Sequence, residues 1–354
     1  MFCRRDLLIL SLFTGALLTQ TASVYAQKLT ASDAANGDQF GFSVNLSGDS
    51  AIVGADLDDD NDFESGSAYY FRSLAANTSG ATNENVKLTA SDGAAGDRFG
   101  SSVSLSGDSS LIGAVGDDDN GSSSGSAYYF RALDTNTSGS ANENVKLTAS
   151  DSAAFDGFGV SVSLSEDSAL IGANFDDDHG SSSGSAYYFR ALNSNTSGAV
   201  TENVKLTASD GAAGDEFGRA ISLSEDSALI GAFRDDDAGS NSGSAYYFRA
   251  LDTNTSGSAN ENVKLTASDS AAFDGFGSSV SLSGDSALVG AYLDDDNGNN
   301  SGSAYYFRGL SSNASGAATE NVKMTASDAV GGEVFGWSVS LSGDSALVGR
   351  VLGR

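Results

Sequence analysis

From Phe99 to Ser106 the chain alternates, with Val103 and Leu105 on one side and serines on the other, the period of a half-buried strand. Ser110 to Ala114 follows as a short, mostly apolar run ending in Gly-Ala. Gly125 to Ala132 carries Ala127, Tyr128, Tyr129 and Phe130, and Asn144 to Ser150 sets Val145, Leu147 and Ala149 against Asn144, Lys146 and Thr148. Each run predicts a strand. Past the N-terminal segment no window shows a convincing 3.6-residue apolar period, so the pattern predicts an all-β chain. The connections are a tight Ser-Gly-Asp-Ser turn, an acidic Asp-Asp-Asp-Asn-Gly loop, a polar Asn-Thr-Ser-Gly loop and a loop from Asp92 to Asp97.

The whole set recurs. Lys-Leu-Thr-Ala-Ser-Asp begins at Lys28, Lys87, Lys146, Lys205 and Lys264, and returns as Lys-Met-Thr-Ala-Ser-Asp at Lys323, in steps of 59 residues. The units are 28–86, 87–145, 146–204, 205–263, 264–322 and a partial 323–354. Ser124 to Gly159 is identical to Ser242 to Gly277, so a two-repeat block has been duplicated, and likeness between repeats records copying as well as use. Four antiparallel strands recurring with a period somewhat above 40 predict propeller blades with enlarged loops. A parallel β-helix is the rival, but its coils are shorter and need no alternation of tight and long connections. The expected architecture over 27–354 is a β-propeller of four-stranded antiparallel blades. About six are expected, the last incomplete: the N-terminus supplies a fourth strand (Lys28 to Ser32) and the C-terminus a first and second (Phe335 to Gly349). The third is unprovided. Six blades with one three-stranded, or a seven-bladed parent, would account for this.

Residues 1–26 stand apart. Arg4 and Arg5 precede an apolar run from Leu7 to Leu18, and Val24-Tyr25-Ala26 offers small residues at a cleavage site before Gln27. This predicts a secretory signal peptide, since a run of this length is short of the roughly 20 residues that span a bilayer. The expected location is secreted or extracellular, with the periplasm or cell surface as variants. Cys3 lies ahead of the run, leaving a mature chain without cysteine.

Composition narrows the chemistry. The chain has 47 Asp plus Glu against 18 Lys plus Arg, one His and one Cys, with a formal net charge of -29, which becomes -30 without Arg4, Arg5 and Asp6. Such a polyanion is repelled by nucleic acid and anionic lipid, and the expected partners are cations or an extracellular protein or glycan, bound by a monomer. Thiolate and imidazole metal sites and recurring Cys/His or Ser/His/Asp sets are excluded by count.

Each unit also contains Phe-Gly (Phe40-Gly41, Phe99-Gly100, Phe158-Gly159, Phe217-Gly218, Phe276-Gly277, Phe335-Gly336). Gly-Ala follows about a dozen residues later, from Gly54-Ala55 to Gly290-Ala291. This resembles the FG-GAP repeat, the blade unit of the integrin α-chain head, and more closely its bacterial secreted relatives. The resemblance implies a propeller whose Phe-Gly strand is innermost, with ligand contacts on the loops of one face. The family's calcium loop between the Phe-Gly and Gly-Ala strands is not carried over, because a short Ser-Gly-Asp-Ser or Ser-Glu-Asp-Ser turn stands there. The proline after Gly-Ala is absent too, so loop geometry beyond that strand must be set otherwise.

With strands lettered A to D from the inside, antiparallel order places the B–C and D–A connections on one face. The B–C loops contribute Asp58 to Asp60, Asp117 to Asp119, Asp176 to Asp178, Asp235 to Asp237 and Asp294 to Asp296; the D–A loops add pairs such as Asp92 and Asp97. Crowded carboxylates repel, so the ring should bind cations or hold its side chains out in water. Hard oxygen ligands outside the cell favour calcium. The candidate ligands are Asp56, Asp58, Asp60 and Asp62, where spacing is best, with Asp117, Asp119, Asp176, Asp178, Asp235, Asp237, Asp294 and Asp296. The alternative is solvated turn residues that keep the chain soluble.

The position after Phe-Gly reads Phe42, Ser101, Val160, Arg219, Ser278 and Trp337 while its surroundings hardly change. Either a shared ligand pocket or relaxed copying explains that. Asp92, Asp97, Phe42, Arg219 and Trp337 are therefore candidates for a ligand face. His179 reads as a loop substitution, the Tyr-Tyr-Phe triplets as filling between blades, and Asn77, Asn136, Asn195 and Asn254 match the glycosylation acceptor. Almost every ionisable group exists in equivalent copies, whereas catalysis needs groups with distinct tasks. The expected function is a non-enzymatic binding or adhesion module. A structural surface or envelope protein is the alternative, and a propeller hydrolase or lyase a remoter one.

Overall fold

A computed structural model describes residues 7–10, 26–76, 80–137, 139–195, 198–254, 257–313 and 316–351. Most of the expected signal peptide and the Thr-Ser parts of the glycosylation acceptors at Asn77, Asn195 and Asn254 lie outside them, as does Asn77 itself. The protein is an all-β array of blades. Blade 2 shows the pattern: strand A is Phe99–Ser106, B is Ser109–Ala114, C is Ser126–Phe130 and D is Val145–Leu147, each antiparallel to its neighbour. Blade 1 spans Val44–Ser47 to Val86–Thr89, blade 3 Ser161–Ser165 to Val204–Thr207, blade 4 Ala220–Ser224 to Val263–Thr266, and blade 5 Phe276–Ser283 to Val322–Met324. A sixth contributes the hairpin Ser338–Ser342 and Ser345–Gly349.

The pattern missed a fifth strand. Each polar C–D connection holds a short 3₁₀ turn and then a strand that pairs in parallel with strand D of the preceding blade, as Ser140–Asn142 does with Val86–Thr89. Those three residues, Ser-Ala-Asn, carry no strand signal. The neighbouring blade's open D edge supplies it, by offering unpaired backbone groups. At the N-terminus Leu7–Leu10 pairs with Ala26–Thr30, in the place strand C occupies in a complete blade. Leu7–Leu10 thus covers an otherwise open edge. Among the described residues no sheet joins the first blade to the last hairpin. Leu46 on the first strand A is 50% exposed, whereas its blade 2 counterpart Leu105 is 5% exposed.

Interior sheets are apolar on both faces. In blade 2, Ile112 and Tyr128 pack back toward blade 1, while Leu111, Tyr129, Val145 and Leu147 pack forward against Phe158, Ile171, Tyr187 and Phe189 of blade 3. Burial on both sides explains why strands B and C read as continuous apolar runs instead of alternating. The Phe-Gly and Gly-Ala pairs interlock across this boundary. Phe158 N–H donates to Ser124 O at 3.0 Å, and Ser102 Oγ donates to Gly159 O at 2.7 Å. A Cβ on Gly113 would stand 2.1 Å from Gly159 O, so two backbones approach where no side chain fits.

Successive blades are also stapled at both rims. Arg131 Nη1 donates to the carbonyls of Asn193 and Asn195 in blade 3, and Glu143 accepts from Ser91 N–H and hydroxyl at 3.0 and 2.6 Å. Strand A forms the inner edge, where Leu164 N–H donates to Ser104 Oγ of the preceding strand A at 2.9 Å.

Gly113→Ala should therefore lower unfolding free energy by about 3 kcal/mol through overpacking. Gly107→Ala, at φ 60° with nothing within 4 Å, should cost only about 1 kcal/mol of left-handed strain. Urea denaturation of the two variants checks the ranking, and equal losses would contradict the interlock.

Candidate functional site

The B–C and D–A loops do share a face. In blade 2, Asp92 from the D–A loop and Asp117 and Asp119 from the B–C loop bring carboxylate oxygens within 4.8 Å of one another; Asp33, Asp58 and Asp60, Asp151, Asp176 and Asp178, Asp210, Asp235 and Asp237, and Asp269, Asp294 and Asp296 repeat this. Three acids so placed could hold a metal ion.

Each triad already surrounds a cation. Lys146 Nζ lies 2.7 Å from Asp92 Oδ2, 2.9 Å from Asp117 Oδ2 and 2.6 Å from Asp119 Oδ2. Lys87, Lys205, Lys264 and Lys323 take the same place in the other four blades. A strand D lysine two positions from its fellow polar residues points at the loop face, and the carboxylates close over it. The Tyr128 hydroxyl, with one proton to give, donates to Asp117 Oδ2 at 2.7 Å and has Asp92 Oδ1 at 3.0 Å, and its ring lies 5.2 Å from the ammonium. In the incomplete sixth unit Arg350 Nη1 reaches Asp328 and Glu333 at 3.0 and 2.9 Å.

From the sequence the acids are expected either to take up outside cations or to stand in solvent; in each triad an internal cation is present, and the Asp119 side chain is 62% exposed while Asp117 is buried. Asp117 is 2% exposed, and its charge is met by Lys146. A calcium ion centred among these oxygens would stand where the ammonium stands, so the groups do not fit the metal while lysine is in place. Asp56 and Asp62, expected as ligands, belong to no triad. Asp56 is fully buried against Arg98, 2.6 Å away, and Asp62 Oδ1 accepts from Phe63 N–H. The loop geometry comes from hydrogen bonds: Asp117 Oδ1 accepts from Asp119 N–H at 3.0 Å, and Asp118 Oδ1 from Ser123 N–H at 2.6 Å. Sequence reading missed Lys146 and its equivalents. The signal was there, as one lysine at a fixed offset from every acidic loop.

A second set of residues breaks the repetition. After Gly-Ala the repeats carry Asp56, Val115, Asn174, Phe233 and Tyr292. The structure brings Asp56, Asn174 and Tyr292 against the variable residues flanking Phe-Gly in the next blade, and Phe233 against arginines of its own blade. Asp56 meets Arg98; Asn174 Nδ2 donates to Glu216, which also binds Arg219 at 3.2 Å and Arg234 at 2.7 Å. The Arg219 guanidinium lies 4.7 Å from the Phe233 ring, and Tyr292 meets Trp337 edge-on at 5.1 Å. Phe42 and Trp337 are about half exposed. Asp97, another ligand-face candidate, turns inward and accepts from Ala94 N–H at 2.7 Å. Phe155 and Phe273 add to this face: each is more than half exposed and adopts φ of 73° and 74°, at a position where the other repeats have Gly37, Gly96, Gly214 and Gly332.

The FG-GAP repeat family matches residues 24–71, 82–130, 141–189, 200–248, 259–307 and 318–353. The chain belongs to the FG-GAP repeat family. No curated protein matches this FG-GAP chain. Among solved structures it is similar to the computationally designed Ika8 protein. Identity is 12%, with 92% of this chain and 74% of that chain covered and a TM-score of 0.51, a likeness of fold alone.

Two classes of acid set the pH response of this FG-GAP protein. Burial, with a smaller push from neighbouring carboxylates, raises Asp97, Asp156, Asp215 and Asp274 to about 6. Burial also acts on Asp92, Asp176, Asp210 and Asp294, but lysine and tyrosine outweigh it and hold them below the usual carboxylate range. Between pH 7 and about 4 the folded protein binds more protons than the unfolded chain, so stability rises as pH falls. Below that the second class loses its contribution as it protonates. Melting temperature measured from pH 8 to 3 should therefore peak between about pH 4 and 5, and a maximum at neutral pH would contradict the assignment.

Proposed function

We propose that the mature chain is a secreted, non-enzymatic propeller that serves as a binding or adhesion module, its ligand an extracellular protein or glycan held on the face of the B–C and D–A loops. The observation that carries this reading is the clustering of variable residues. The offsets on either side of Phe-Gly and just after Gly-Ala vary in side-chain chemistry, and several of these residues meet one another, as Asp56 meets Arg98, Asn174 meets Glu216 and Tyr292 meets Trp337. A symmetric scaffold becomes able to recognise one asymmetric ligand by this kind of local divergence. Phe155 and Phe273 support the same face, because a phenylalanine in a left-handed conformation costs stability and gains no burial in return.

Calcium is not required by this reading, since each carboxylate triad has its own counter-charge. An enzymatic role is not favoured: the one histidine, His179, lies in a B–C loop, where its backbone N–H donates to Ser183 Oγ.

The test is binding of a panel of matrix proteins and glycans to the full mature chain and to Phe42→Ala, Arg219→Ala and Trp337→Ala, with and without chelator. These variants should lose tenfold or more in affinity, corresponding to about 1.4 kcal/mol, at unchanged melting temperature. Retained binding in all three would move the ligand elsewhere, and no binding by the parent chain would favour a surface coat. Phe155→Gly and Phe273→Gly should each gain about 1 kcal/mol in stability by urea denaturation while weakening binding.

A further inference from the structure

We propose that the cation position of every blade is filled by the chain's own side chain, so that this propeller is independent of calcium, and that its carboxylate triads become divalent-cation sites only when the lysine is removed. The inference rests on lysine geometry and is independent of the ligand reading above.

The valences close. An ammonium has three N–H donors and no acceptor, and Lys146 Nζ has three carboxylate oxygens around it, one each from Asp92, Asp117 and Asp119. The Tyr128 ring covers the ammonium on another side, and the one proton of the Tyr128 hydroxyl goes to Asp117 at 2.7 Å. Calcium needs six to eight oxygens at about 2.3–2.6 Å, and a calcium placed among these three would coincide with the nitrogen. The two cations exclude each other by both space and charge.

The sixth unit supplies an independent argument. Its described residues form strands A and B, and Asp328 and Glu333 meet a cation of their own, the guanidinium of Arg350. Arg350 stands where the other repeats have the alanine of Gly-Ala. Asp328 holds the position of Asp92, so two unrelated backbone positions deliver positive charge to this D–A loop acid; Glu333 holds the position of Asp97, whose carboxylate in blade 2 accepts from Ala94 N–H instead. The loop with the best calcium-like spacing, from Asp56 to Asp62, agrees: Asp56 is committed to Arg98, another internal cation.

The experiment compares melting of the full mature chain in about 5 mM calcium and in chelator, above the dissociation constants of weak extracellular sites. The parent chain should not shift. Lys146→Ala should melt roughly 5 °C lower, because it strands the buried Asp117, and should regain at least half of that in calcium but not in sodium at equal ionic strength. Lys146→Arg should keep the parent melting temperature and show no response. A calcium-dependent rise in the parent chain, or a folded Lys146→Ala with no calcium response, would overturn the proposal. Should Lys146→Ala not fold, acylation mapped by mass spectrometry on the parent chain decides it. Lys87, Lys146, Lys205, Lys264 and Lys323 should be protected equally with and without calcium, and calcium-induced exposure would show that the metal displaces the ammonium.

Discussion

A sheet that is apolar on both faces can be buried only between two others like itself, and this requirement organises the protein. Blade 2 sends Ile112 and Tyr128 one way and Leu111 and Tyr129 the other. Neither face tolerates water, so no blade is stable by itself, and stability accrues at the boundaries between repeats. The Phe-Gly and Gly-Ala pairs let the boundaries close tightly. Phe158 fills the boundary with its ring, edge-on to Phe189, while Gly159 and Gly113 remove the side chains that would hold the backbones apart. The motif that marks the family is thus a packing device. Its presence says how blades join and leaves open what they bind.

Interior burial also fixes the electrostatics. Strand C carries two adjacent tyrosines whose rings enter opposite boundaries, and their hydroxyls reach opposite destinations. Tyr128 reaches the carboxylates of Asp92 and Asp117, and Tyr129 reaches Asn193 of the next blade. Drawing Asp117 into the wall of a blade removes it from water, and a buried carboxylate must be paired to be tolerated. Lys146 is that pair. A net charge of -29 in the sequence therefore overstates the field at each triad, where three acids share one base, and the remaining charge lies on outward-facing residues such as Asp118. The same interaction ties strand D to both the B–C and the D–A loop, so this face is held together by constant residues.

Much of the fold was legible because strand period, turn chemistry and a 59-residue repeat are local signals. Strand A of blade 2 was bounded correctly at Phe99–Ser106, and the shared face of the B–C and D–A loops followed from antiparallel order alone. The fifth strand was not legible, since Ser140–Asn142 has no strand propensity and forms by pairing with a blade whose edge would otherwise be open. For the acidic loops, spacing in sequence was a poor guide. Alternating aspartates from Asp56 to Asp62 suggested convergence, but Asp56 turns into the boundary toward Arg98 while Asp58 and Asp60 turn toward Lys87.

The sequence by itself determined the four antiparallel strands of a blade, the repeat, the packing motif and the sign of the charge, all of which follow from the pattern along the chain. The tertiary structure decided what the acids hold. Asp92, Asp117 and Lys146 lie 25 and 29 residues apart in sequence, and only the antiparallel return of strands B, C and D brings them within hydrogen-bonding distance. A carboxylate's partner is set by distance in space, and in a blade that distance is fixed by the sheet.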